Sequence, residues 1–428
     1  MVIMLNIKHY LNKVLGWVAI CLALIILSLP ASAKEPEIRV GSLKIKPSIK
    51  YQGSYQKNVF FENDDERDDY VQTLTPKIIF EYAGGTLGNY LTVGYDLDLV
   101  AYADYEDNNY QAHKPWISLA INNFGPFYLK VNERYVYTAD PYGSVNTYGI
   151  GSNTKRWNNT LDFLLGRKLA DKYALELMYD YYLERFREDR DKWQNRIDHR
   201  FGVTFLVKVA SKTALFGEYR RTDAEYDEQN SGLSIMIEGD TWNWNSSNSQ
   251  DYTTQDFFIG ARFHPSGRIR GEIKFGYGRK DFQNSIDPDN NLYEDDETWV
   301  VETDVQYTLL KKTTLLLSIY RSFLGTPDYD STGYVETRAG IDLTHSLNRT
   351  TFHLGFDWNL YDYLNEKPGL PEKYFQLYTI KAGMDYRLKE YLTVGVNYKH
   401  QDKDASHTVY EDDEYTDDIF SFYGDIAF

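Results

Sequence analysis

From about residue 43 to the end of the chain, apolar and polar residues alternate with a period of two. That period marks extended strands, whose successive side chains point to opposite faces. The run Leu91, Val93, Tyr95, Leu97, Leu99, Ala101, Ala103 is interleaved with Thr92, Gly94, Asp96 and Asp98. One face of this strand is apolar and the other carries carboxylates, so it must separate a greasy environment from a wet one. The pattern returns at Tyr173–Leu183, Ile197–Val207, Phe352–Leu360 and Tyr378–Tyr386, and no apolar period of 3.6 competes with it after residue 34. It predicts strands near 43–55, 70–82, 89–104, 115–123, 127–138, 156–166, 173–185, 195–208, 213–223, 254–264, 268–280, 298–309, 313–323, 334–345, 350–361, 375–387, 391–401 and 418–428. That is eighteen strands, with sixteen as the alternative count.

The connections between them alternate in length. Short ones fall at Ala83–Leu87, Phe124–Pro126, Lys168–Lys172, Ala210–Lys212, Pro265–Gly267, Leu310–Lys312, Ser346–Arg349 and Leu388–Glu390. Long acidic ones lie between, including Glu62–Asp69, Glu225–Tyr252, Asp281–Glu297 and Asp402–Asp417. A soluble β-sandwich also alternates, with its apolar faces packed inward. Short turns on one side and long loops on the other instead belong to a transmembrane antiparallel up-and-down β-barrel, with periplasmic turns and extracellular loops. Strands of about 11 residues at ~3.3 Å rise and ~40° tilt climb ~28 Å, enough for the ~25 Å apolar band of such a wall. Aromatic residues at strand ends (Tyr70, Tyr82, Tyr90, Tyr105, Tyr173, Trp299, Tyr391) are expected to form interfacial girdles.

Composition sharpens this picture. The 428 residues include 38 Tyr, are 16% aromatic and carry a formal charge of -17; their mean hydropathy is -0.54. Such polarity rules out a bundle of apolar membrane helices, the acidity argues against nucleic acid as a partner, and the aromatic content argues against disorder. Residues 1–33 read as a signal peptide, with Lys8 and Lys13 before an apolar run from Val14 to Leu29 and Ala31-Ser32-Ala33 as cleavage site. A single membrane anchor is the alternative for that run. Cleavage removes Cys21, the one cysteine, which excludes disulfides, thiolate zinc sites and cysteine nucleophiles from the remaining 34–428 barrel.

Eighteen strands enclose more space than side chains alone fill. On the strand register, Lys130, Arg134, Arg196, Arg200, Arg220, Arg270, Lys274, Arg338 and Lys381 point inward with Asp96, Asp98, Glu176, Asp180, Glu218, Glu272, Glu336, Asp342, Asp357 and Asp385. The candidate lumen-lining set is Lys130, Arg134, Arg200, Arg220, Arg270, Arg338, Lys381, Asp96, Asp98 and Asp180. The two signs roughly balance, which reads as a hydrated wall of cross-strand ion pairs, a few of which form a constriction. Glu133 falls on the lipid side between Val131 and Tyr135, as an interfacial residue or at a β-bulge. Carboxylates of the long loops are candidates for bridging to lipopolysaccharide through divalent cations, although Asp287–Glu297 lacks the central Gly of an EF-hand loop. No H-E-x-x-H pair or G-x-S-x-G elbow occurs, and Asp198/His199 and Asp342/His345 are too ordinary to suggest a site. Neither an enzyme nor a cofactor is expected.

Two segments carry a family resemblance. Ser54-Tyr55-Gln56-Lys57-Asn58-Val59-Phe60, an acidic turn, and Asp69 through Thr75-Pro76 resemble the opening of a β-barrel porin family, as does the hairpin ending Leu99-Val100-Ala101-Tyr102-Ala103-Asp104-Tyr105. The likeness is clearest over residues 45–110, and Lys57 stands where that family more often has Asp. The last strand, with Phe420, Phe422, Ile426 and the terminal Phe428 at alternate positions, resembles the signal read by the outer-membrane barrel-assembly machinery. Members of the porin family are often encoded beside exopolysaccharide or capsule genes. The resemblance therefore implies a conduit for a secreted polysaccharide, with lipid and lipopolysaccharide as its surroundings. A passive diffusion porin and a loop-closed structural or adhesive barrel remain the alternatives.

Overall fold

The computed structural model describes residues 38–427, apart from 85–87, 141–153, 189–191, 193, 228–233, 238–239, 244–250, 265–266, 283–293, 326–332 and 365–370. Residues 1–33, expected as a signal peptide, and Phe428 lie outside the described residues. The strands are β1 (Ile38–Val40), β2 (Leu43–Gln56), β3 (Asp69–Gly84), β4 (Asn89–Tyr102), β5 (Tyr110–Phe124), β6 (Phe127–Thr138) and β7 (Arg156–Ala170). There follow β8 (Tyr173–Phe186), β9 (Arg196–Ala210), β10 (Thr213–Tyr226), β11 (Ser234–Ile237), β12 (Asp240–Asn243), β13 (Tyr252–Phe263) and β14 (Ile269–Asp281). The last seven are β15 (Asp296–Leu310), β16 (Thr313–Leu324), β17 (Gly333–Leu347), β18 (Thr350–Leu364), β19 (Tyr374–Lys389), β20 (Leu392–Ala405) and β21 (Tyr415–Ala427).

All eighteen expected strands are present, and they make the wall; each pairs antiparallel with its neighbours, and β21 closes onto β2 from Ser48↔Ala427 to Gln56↔Ile419. The short pieces β1, β11 and β12 and the short 3-10 helices at Glu106–Asn108 and Thr408–Asp413 carry no alternating signal long enough to be read. β11 and β12 pair with each other within the 227–251 connection. β1 covers an edge. Where β21 ends, β2 would stand bare from residue 43 to 47, and β1 folds back to pair Val40 with Leu43 and Ile38 with Ile45. An unpaired edge invites aggregation.

The wall strands run 12 to 16 residues, longer than expected. At ~40° tilt, 14 residues rise ~35 Å, so their ends stand beyond a ~25 Å apolar band. Accordingly Asp402–Ala405 and Tyr415–Asp417, expected in a loop, are strand. The outer face shows where the band ends. Tyr219, Phe257, Tyr277 and Trp299 lie in register across β10, β13, β14 and β15, and directly above them stand Arg221, Gln255, Arg279 and Glu297. An aromatic row capped by charge is how a barrel marks the membrane–water boundary. Tyr82, Tyr90, Tyr173 and Trp299 are exposed on this face as expected. Tyr105 and Tyr391 are not girdle residues: Tyr105 packs edge-on against Phe60 at 4.8 Å, and Tyr391 is buried with Leu392 and Ile426.

Burial is inverted relative to a soluble domain, in which large apolar residues go in and charges stay out. Phe201, Phe257, Ile259, Phe275, Leu354 and Phe420 are all more than half exposed, whereas Glu176, Glu218, Arg220, Asp256 and Lys274 are buried. Glu133 sits on the outward face opposite Ile117 and Leu161 with its ladder unbroken there, so no bulge removes it; Asn159 donates to its carboxylate at 3.1 Å. Among the described residues no helix is long and apolar enough to cross a membrane.

Candidate functional site

The interior face is assembled by register, since residues paired across a ladder share a side. Asp96 lies opposite Lys77 and Lys114, and Asp98 two residues on opposite Ala112. Lys130 faces Ala120 and Leu164, and Arg134 faces Trp116 and Thr160. Asp180 pairs with Arg200, and Arg220 lies between Gly202 and Asp256. Arg270 is opposite Gln306, Arg338 opposite Tyr320 and Asn359, and Lys381 opposite Gly355 and Lys399. Along its strand each alternates with the residues of the opposite face.

They do not form one cluster. Along β10 to β15 the inward charges converge into a buried network. Arg220 bonds to Glu218 on its own strand and to Glu302 on β15 at 2.7 Å, three strand spacings away. Lys274 contacts Glu302 at 2.6 Å and Glu218 at 3.4 Å, while Thr204 donates to Glu218 at 3.0 Å. The ring of Phe258 lies 5.1 Å from both cations. Side chains three strands apart can meet only where the wall curves tightly. Toward the short-turn end, Glu176 accepts from Tyr128 at 2.6 Å and from Arg262 at 2.7 Å, and Arg262 also pairs with Glu272. Elsewhere the pairs are simpler: Lys77–Asp96 at 3.5 Å, Arg200–Asp180 at 3.8 Å, Lys114–Asp98 and Lys381–Asp357.

Four of the ten stand apart. Among the described residues Lys130, Arg134, Arg270 and Arg338 enter no ion pair, and Arg338 lies over the Tyr320 ring at 5.3 Å. Lys130 and Arg134 are exposed on β6, beside Trp116, whose indole lies so close on Gly94 that a Cβ there would overlap it. β6 and β17 are nine strands apart around the eighteen-stranded wall, and β17 carries Glu336 and Asp342 inward.

Arg262, Asp256 and Glu302 were not singled out by the sequence pattern, although each occupies an inward position of its strand. Carrying the face assignment through residues 252–263 and 296–310 reaches them. What no one-dimensional pattern supplies is their convergence across three strands.

The residues that carry the family resemblance occupy the loop-side rim. Asn58 is fully buried: its amide nitrogen donates to the Glu62 carbonyl at 2.7 Å and the Thr416 carbonyl at 3.2 Å, and its backbone N–H donates to Asp417 at 3.0 Å. Asp69 accepts the backbone N–H groups of Ala103 and Asp104 at 3.0 Å and of Tyr105 at 3.1 Å. Arg67 lies over Phe60 at 4.1 Å, and its hydrogen bonds to Glu62 hold the guanidinium above its ordinary pKa. These side chains bond to the protein itself and lock three loops together above the closure seam.

Charge is sorted along the barrel axis. The nine long connections hold 29 Asp/Glu against 8 Lys/Arg, a net of -21. The eight short turns hold six cations (Lys172, Lys212, Arg268, Lys311, Lys312, Arg349) against two carboxylates (Asp171, Glu390), a net of +4. Among the described residues, no group of three or more His, Cys, Asp or Glu is placed to hold a metal ion.

The family described as "Putative beta-barrel porin 2" matches residues 36–421. A comparison with curated proteins finds no match. Solved structures of similar shape include the siderophore receptor PirA from Acinetobacter baumannii, at 7% identity over 90% of this chain and 80% of that one, with a TM-score of 0.46. OccK2 from Pseudomonas aeruginosa, in complex with glucuronate, is 12% identical over 90% and 97% of the two chains, with a TM-score of 0.43. OmpT of Vibrio cholerae, as a loop L8 deletion mutant, is 9% identical over 90% and 100%, with a TM-score of 0.37.

Proposed function

The chain belongs to the Putative beta-barrel porin 2 family of outer-membrane barrels, and from that premise we propose that it is a gated conduit through which a secreted polysaccharide leaves the cell. The observation that carries the conduit is the inner wall of the eighteen-stranded barrel, where carboxylates and cations alternate with the exposed apolar rows of the outer face. A wall of charge is retained when it is hydrated or paired; a sealed structural barrel would be filled more readily with apolar side chains. In this reading Lys130, Arg134, Arg200, Arg220, Arg270, Arg338, Lys381, Asp96, Asp98 and Asp180 line the passage. The polysaccharide cargo rests on the resemblance of the segments around Asn58 and Tyr102. Delivery uses a cleaved signal peptide ending near Ala33 and the assembly machinery acting on Phe428.

The test is planar-bilayer conductance of the refolded protein, intact and with 228–250 removed, which leaves Tyr226 and Tyr252 in their strands. A silent barrel that opens on deletion supports the gated conduit. Steady large openings in the intact protein favour passive diffusion, and silence in both forms leaves a structural barrel.

A further inference from the structure

A cavity of about 720 Å³ lies at the short-turn mouth, between the β7–β8 and β9–β10 turns and the end of β13. Ala174, Leu206 and Ala214, on the inward faces of their strands, give it a small apolar floor, and Lys168, Lys172, Lys208 and Lys212 stand around it. Its one carboxylate is Asp171, and Arg262 beside it is already held by Glu176 and Glu272. Lys168, Lys172 and Lys208 are exposed and form no ion pair among the described residues. In a chain of charge -17, three unpaired lysines at one concave site are a local reversal of sign. Like charges held together repel one another, and an anion arriving among them relieves that repulsion.

We propose that this cavity binds anionic saccharide units presented from the periplasmic side. The proposal rests on the conduit reading and extends it to a class of cargo. The volume falls in the range of small-molecule sites, ~300–1,000 Å³, which suits a short run of sugar rings. The apolar floor takes the C–H face of a ring, and the lysine ammonium groups take its carboxylate or phosphate as mobile point charges. Position supports the same direction of travel. Basic turns at one mouth attract a polyanion, and the acidic loops at the other repel it outward once it has passed; screening confines both effects to about a Debye length, ~8 Å at physiological salt.

Binding is measured by calorimetry on the detergent-solubilised full chain, with trigalacturonate as probe, maltotriose as neutral control and inorganic phosphate as competitor. Trigalacturonate is expected to bind at least tenfold more tightly than maltotriose. The triple variant Lys168→Gln/Lys172→Gln/Lys208→Gln should lose at least tenfold in affinity, while Lys311→Gln/Lys312→Gln, on another turn, should keep it. Circular dichroism and gel mobility verify that each variant is folded. Equal affinity in the triple variant and the parent overturns the site. So does equal loss in both variants, which would mean diffuse charge, or full displacement by phosphate at equal concentration, which would mean no recognition of the sugar. Conductance of the 228–250 deletion separates the two readings: a deletion barrel that binds the probe but never conducts refutes the conduit and keeps the site, and one that conducts but ignores the probe does the reverse.

Discussion

Asp69 offers the sharpest test of how the rim holds together. It is the first residue of β3 and only 2% exposed, and its carboxylate accepts three backbone N–H groups from the segment that follows β4. The N–H of Ala103 also donates to the Tyr70 carbonyl at 3.2 Å, so Asp69→Ala orphans three donors, those of Asp104, Tyr105 and Tyr70, whose own N–H donates to this carboxylate at 2.6 Å. A buried donor left unpaired costs about 1–3 kcal/mol. Three at a rim that water reaches should together cost about 3 kcal/mol, at the lower end of the per-donor range. Asp69→Asn keeps one acceptor oxygen but turns an amide N–H toward the other donors and loses the charge assistance, so about half of that loss is expected. Urea unfolding in micelles, followed by the mobility of unheated samples on gels, reads the stability. Limited proteolysis of the 103–109 segment reads the local order. An Asp69→Ala barrel that unfolds at the parent's urea concentration, with its loop cleaved at the parent's rate, would refute the claim that this carboxylate organises the rim.

Four further outcomes follow from the same geometry. Glu302→Ala leaves Arg220 and Lys274 sharing Glu218 and should destabilise by about 3 kcal/mol, with Glu302→Ala/Lys274→Met recovering part of it; equal unfolding midpoints for parent and Glu302→Ala would dismiss the network. Gly166→Ala drives a Cβ into the Tyr128 ring and should cost about 1–3 kcal/mol. Adding Tyr128→Ala should then cost less than the two single changes summed, and simple additivity would count against the contact. Glu133→Leu on the lipid side removes the acceptor of Asn159 yet should hold or raise stability by up to ~1 kcal/mol, so a clear loss in liposome unfolding would show that this hydrogen bond outweighs the removal of a charge from lipid. Chelation should make the acidic long loops more susceptible to protease if divalent cations bridge them to lipopolysaccharide, and an unchanged cleavage rate would discard the bridge.

How legible the chain was depended on the range of the interaction. The period-two signal at Leu91–Ala101 and Phe352–Leu360 identified strands to within a few residues because each side chain there answers to a local question, lipid or water. The same signal assigns Arg134, Arg220 and Asp180 each to one face of its strand, beside the ladder partners Trp116, Asp256 and Arg200. It faltered where a residue's role came from a neighbour distant in the chain. Tyr391 and Tyr105 look like girdle aromatics in sequence, yet each is packed by residues beyond its own strand. Asn58 and Asp69 read as loop polar residues, yet they are buried hubs because loops from β2, β4 and β20 come together over the seam.

The amino-acid sequence by itself determined the strands and their approximate number, the two unlike faces, the short-turn and long-loop sides, and the acidity of the long loops. These follow from steric alternation along an extended chain and from composition, and neither depends on which strands are neighbours. Only the tertiary structure decided which charges share a partner and which stand alone. Closing the sheet brings Glu302 to Arg220, and Glu176 to Tyr128 and Arg262, while Lys130, Arg134, Lys168, Lys172 and Lys208 are left without a counter-ion among the described residues. Charge pairing depends on distances of a few ångströms between strands, and the curvature of the closed wall sets those distances.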